Sequence, residues 1–98
     1  MKTIKKVVVP VAERTEIVDV EGGPVTMLGM TVVVMCTSYI YTGTLTGVNA
    51  HFIEVSEPSV VYETGPWSGA TFKDVQRLPT KKQILFYGQI ENMFPLER

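Results

Sequence analysis

Hydrophobic positions in this chain recur at every second residue or in short unbroken runs, and seldom at the spacing of a helix. Val7-Val8-Val9 and Ile17-Val18-Asp19-Val20 read as two short strands, the second alternating apolar with polar. Glu21-Gly22-Gly23-Pro24 follows as a turn, because glycine accepts positive φ and Pro24 fixes the exit. Val25 to Leu28 lead into the next strand, Thr31 to Cys36. There Val32, Val34 and Cys36 fall on one face while Val33 and Met35 fall on the other. A strand apolar on both faces is sandwiched, either between two layers or between its own core and a neighbouring subunit.

Thr37-Ser38 signals a short turn before a long strand, Tyr39 to Val48, in which Tyr41, Gly43 and Leu45 share a face. A mid-strand glycine weakens pairing but permits a sharp bend. Gly47-Val48-Asn49-Ala50 breaks the alternation and predicts a turn, after which His51 to Ser56 resumes as a strand. Pro58 interrupts that strand, and Val60 to Tyr62 is its continuation. Residues 63–80 carry Gly65-Pro66, Gly69 and Pro79 around Trp67 and Phe72. They read as a long loop insertion with one helical turn around Lys73 to Arg77 and a small Trp67–Phe72 cluster. Gln83 to Tyr87 and Gln89 to Phe94 then predict a late hairpin around Gly88, ended by Pro95. The expectation is one mostly β domain over 1–98, with 1–27 as an N-terminal extension.

Composition narrows the function classes. The formal net charge is −1, so no global field draws the chain to duplex DNA or to acidic membrane surfaces. An apolar fraction of 45% is high for so small a domain, and some of that surface is expected to meet another chain. Cys36 is the sole cysteine, which excludes an intrachain disulfide and a paired-thiolate metal site. Lysines followed by valines at the start mimic a signal peptide, but Pro10 and Glu13 cut the apolar run short. No segment approaches the ~20 apolar residues of a membrane span. A cytoplasmic protein without cofactor or metal is expected. With one histidine and no phosphate-binding glycine loop, an enzyme is not.

Three short motifs carry a resemblance. Gly29-x-x-Val32-x-Val34 is followed by Gly43-x-Leu45, then by Val48-Asn49-x-x-Phe52, and near the end by Phe86-Tyr87-Gly88. In this order and separation they resemble the Sm-like family of small, strongly bent, five-stranded β-barrels. Asn49 stands where an aspartate is usual, Tyr87 replaces an arginine and Ile53 an asparagine. The front segment reads as strands where the family has a helix. The resemblance implies a homo-oligomeric ring of about five to eight subunits that holds single-stranded RNA at or near its pore. Phage members of the family look like plausible relatives.

On that resemblance the RNA-binding candidates are His51, Asn49, Tyr87 and Gly88. His51 and Tyr87 offer rings on which bases stack. The bland alternatives are an exposed turn residue for His51, a strand residue packing across the subunit boundary for Tyr87, and a local turn cap for Asn49. Leu85, Phe86, Ile90 and Met93 make the last strands apolar, with Glu91 the one charge among them. An open barrel leaves edge N–H and C=O groups unpaired, so these residues are the expected oligomer interface. The competing function is a structural or assembly module of a viral or cellular complex, using the same small barrel without RNA.

Overall fold

A computed structural model describes residues 6–11, 14–19 and 22–97. The chain runs β1 (Lys6–Val11), β2 (Arg14–Asp19), β3 (Thr31–Cys36), β4 (Ile40–Val48), β5 (Phe52–Glu63), β6 (Asp74–Arg77), β7 (Lys82–Phe86) and β8 (Ile90–Pro95). β1 and β2 pair as an antiparallel hairpin of their own, from Lys6 opposite Asp19 to Val11 opposite Arg14. The other strands form one antiparallel sheet in the order β6-β5-β4-β3-β8, and β7 joins it on β5. Val20 and Glu21, parts of the expected second strand and turn, lie outside the described residues. Pro24–Met27 form a 3-10 turn instead of running straight into β3. Gly29, at a φ of 86°, turns the chain toward β3 and donates its N–H to the Leu45 carbonyl at 2.8 Å. Few L-residues hold that backbone angle at low cost.

Val32, Val33 and Val34 are all fully buried, as their two-faced pattern requires. Removing each valine from water contributes about 1.5–3 kcal/mol. Val32 and Val34 belong to a core with Leu45, Ile53, Val55 and Leu85. Val33 lies opposite Phe94 of β8 in the sheet, so the two share the other face. Phe94 meets Trp67 edge-on at 5.8 Å, and Trp67 meets Phe72 at 5.9 Å. The segment between β5 and β6 therefore lays an aromatic cluster on the Val33 side. The second layer comes from the chain itself.

β5 carries the bend. Ser56 pairs with Thr44 and Ser59 with Thr42, so three steps on β5 oppose two on β4 and leave a bulge at Glu57-Pro58. Glu57 adopts a φ of 51°, and its N–H is held by the Lys81 carbonyl at 2.8 Å. Its carboxylate pairs with Arg77. The strand thus continues through Pro58 rather than ending there, because Pro58 sits in the bulge, where no ladder hydrogen bond is asked of its nitrogen. Gly43 faces the bulge. A Cβ on it would lie 2.8 Å from the Ser56 carbonyl oxygen and 3.3 Å from Pro58 Cα.

Two expectations fail on pairing. Asp74–Arg77 is a strand, not a helical turn, because it satisfies the open edge of β5: Ser59 pairs with Arg77 and Val61 with Val75. The 63–80 insertion is thus partly sheet. The late hairpin does not form either. β7 pairs with the first half of β5, Phe52 opposite Phe86, while β8 pairs with β3, Val33 opposite Phe94. A 3-10 turn at Tyr87–Gln89 carries the chain across, fixed by Tyr87 N–H to the His51 carbonyl at 3.2 Å and Thr37 N–H to the Gln89 carbonyl at 3.1 Å. The sheet is curved enough that Leu85 of β7 and Ile90 and Met93 of β8 pack on one core from its opposite ends. Among the described residues no helix is long and apolar enough to cross a membrane.

Candidate nucleic-acid interface

The β4–β5 turn is built around Asn49. Its side-chain oxygen accepts the N–H of His51 at 2.7 Å and that of Phe52 at 2.9 Å. Its own N–H donates to the Phe52 carbonyl at 3.1 Å. This is an Asx turn, the local task at which asparagine excels. Both bonds engage the one amide oxygen, so Asn49 acts here as a turn cap.

Tyr87 clamps that turn from the other side of the chain. Its hydroxyl donates to the Asn49 carbonyl at 2.8 Å, while its N–H donates to the His51 carbonyl. Burial pushes the Tyr87 phenol up from its ordinary value, so it remains a donor well into alkaline solution. His51 is exposed at the apex, and a Cβ on Gly88 would have nothing within 4 Å. The fold thus gathers Asn49, His51, Tyr87 and Gly88, which are nearly 40 residues apart in two groups, into one pair of touching turns. No lysine or arginine lies in either turn. What they offer a ligand is an imidazole, a phenol edge and an uncrowded backbone.

No family model, curated protein or solved structure matches this chain.

The four expected interface residues divide. Leu85 is only 4% exposed and belongs to the core. The strand alternation explains this, since Leu85 pairs with Ile53 and both point inward. Ile90 and Met93 are partly buried against the same core. Phe86 is 54% exposed and meets Phe52 edge-on at 5.7 Å. Ile84, on the same side of β7, is also exposed.

Phe52 was legible only as an apolar motif position, yet its pairing with Phe86 puts an aromatic pair, half-buried Phe52 against exposed Phe86, beside the touching turns. A polar network on the neighbouring strands joins Glu54 to Thr46 at 2.9 Å and to Lys82 at 3.5 Å, which partly neutralises that lysine. Among the described residues no group of three or more histidine, cysteine or acidic side chains could hold a metal ion.

Proposed function

We propose that this chain is an Sm-like subunit whose copies close into a ring and hold single-stranded RNA against the turns at 49–51 and 87–89. The observation that carries the reading is the position of β7 and β8. Each pairs with one strand only, β7 with β5 and β8 with β3, at opposite ends of a curved sheet. Each therefore presents a second row of backbone groups to another strand. Antiparallel pairing of β7 on one copy with β8 on the next is head-to-tail, and such contacts close when the rotation divides a circle. The curl of the sheet, set at the Glu57-Pro58 bulge, supports the small bent barrel within each subunit.

Because the 87–89 turn joins the two edge strands, ring closure would bring every copy's His51 and Tyr87 to one radius. Base stacking on an aromatic side chain is worth about 1–3 kcal/mol per base. Repetition around a ring turns that weak contact into useful affinity. This compensates for the missing lysines, and it favours uncharged contacts over phosphate capture. The lack of basic residues in the two turns is also the observation that favours the second reading, a purely structural module.

Native mass spectrometry with and without short homopolymeric RNAs tests both. The expected result is a closed oligomer that captures RNA, with at least about tenfold weaker capture by His51→Ala. A monomer at micromolar concentration overturns the ring. An intact ring that binds no RNA at low salt overturns the RNA role and leaves the structural module.

A further inference from the structure

The β3–β4 turn lies at the far end of β4 from Asn49, and there three tyrosines form a row. Tyr39 stands in the middle, 6.2 Å from Tyr41 and 6.4 Å from Tyr62, the latter edge-on at 87°. Tyr39 and Tyr62 are 50% and 52% exposed. Two cavities, of about 230 and 350 Å³, share Cys36, Ser38 and Tyr39 as common walls. Thr37, Tyr41, Leu85 and Gln89 complete the first, Ile40, Val61 and Tyr62 the second.

The chemistry of this groove is uncharged. No lysine, arginine, aspartate or glutamate lines either cavity. Burial, with the Glu91 carboxylate, pushes the Cys36 thiol up, and burial pushes Tyr41 up, so both stay neutral. Among the described residues no side-chain hydrogen bond ties down the hydroxyls of Ser38, Tyr39 or Tyr62. The groove therefore offers ring faces with free O–H donors at their rims.

We propose that this tyrosine-walled groove is a docking site for a proline-rich segment of a partner protein in the polyproline II conformation. Such a segment makes no internal hydrogen bonds and leaves its carbonyls free to accept. Its rings are apolar, and it loses little entropy on binding, which is why aromatic grooves suit it. Two adjoining cavities that share the Tyr39 ring match a ligand that projects prolines in succession along one side. A nucleic-acid strand fits less well, because strand-binding grooves combine stacking with positive charge, and this groove has none.

The test is a titration of the full-length chain with blocked decaproline, followed by backbone amide NMR. A blocked glycine-serine peptide of equal length and a short homopolymeric RNA run alongside. Saturable shifts confined to residues 36–41, 60–62, 85 and 89, with decaproline alone, are expected. Tyr39→Ala should weaken binding by about tenfold or more, the usual effect of truncating an aromatic anchor. Tyr39→Phe keeps the ring and should lose less, which guards against a folding artefact. His51→Ala should leave peptide binding unchanged, so failure here is separate from failure of the RNA reading. Absence of saturation at millimolar decaproline, equal binding of the glycine-serine peptide, indifference to Tyr39→Ala, or RNA shifting the amides of Ile40, Val61 and Tyr62, which lie away from the 87–89 turn, would each overturn the proposal.

Discussion

Gly43→Ala isolates the bend in β5 with a single methyl group. The added Cβ meets the Ser56 carbonyl oxygen at 2.8 Å and Pro58 Cα at 3.3 Å, and it overlaps Val55 Cγ1. Val55 is fully buried and has no free space to rotate into, and the other two obstacles are backbone of the bulge itself. Overpacking of this kind costs about 1–3 kcal/mol. Replacing a strand glycine restores roughly 0.4–1 kcal/mol through the unfolded chain, because alanine has less freedom to lose. The net loss then lies between about 0 and 2.6 kcal/mol, and its centre near 1.3 kcal/mol corresponds to a fall in Tm of roughly 5–10 °C for a domain this size. Urea midpoints and thermal melts by circular dichroism, at one fixed protein concentration, measure it. Gly88→Ala is the control, since a Cβ there has nothing within 4 Å and no positive φ to contend with. If Gly43→Ala is as stable as the parent or more so, Gly43 is not where the sheet needs close approach.

Leu85→Ala should cost about 2–5 kcal/mol by urea denaturation, because it empties part of the core. Its neighbour Phe86 is half exposed, so Phe86→Ala should cost less, about 0.5–1.5 kcal/mol for the edge-on contact with Phe52 plus the part of the ring that is buried; equal losses would contradict the assignment of Leu85 to the core. Tyr87→Phe should cost about 0.5–1.5 kcal/mol near neutral pH by removing the bond to the Asn49 carbonyl. The same variant should flatten the alkaline loss of stability. Burial raises the Tyr87 phenol above its unfolded value of about 10, so the native state binds more protons there and stability falls as pH climbs past that point. Identical alkaline slopes in parent and variant, with Tyr41 present in both, would refute this.

The strands were legible where alternation or an unbroken valine run imposed them. Thr31–Cys36, the long strand ending at Val48 and the strand resuming at Phe52 are found near their expected places. Pairing was not legible. Asp74–Arg77 has no strong local preference, and it becomes a strand because β5 has an edge to fill. Gly88 between two apolar runs looks like a hairpin turn, but the destination of β8 is set by bonds to His51 and Thr37, far away in sequence. The touching turns were legible as motif positions, whereas the Tyr87 clamp on Asn49 was not. A side chain reaching 38 residues back leaves no trace in spacing. Leu85 shows the same limit, since an apolar run does not say which member points inward until the register is fixed.

The turn at Tyr87–Gln89 links assembly to ligand in the proposed ring. Three residues separate the two strands that carry unshared edges, and the first of them holds the β4–β5 turn in place. Docking a neighbour on β7 or β8 would therefore restrain Tyr87, and through it His51, before any RNA arrives. Restraint of that kind lowers the entropy a ligand must remove on binding. It follows that RNA and assembly should reinforce one another: conditions that separate the copies should weaken RNA capture by more than the loss of multivalency alone. A turn held by one hydroxyl and one amide is modest by itself. Its importance lies in being shared by the edge and the site.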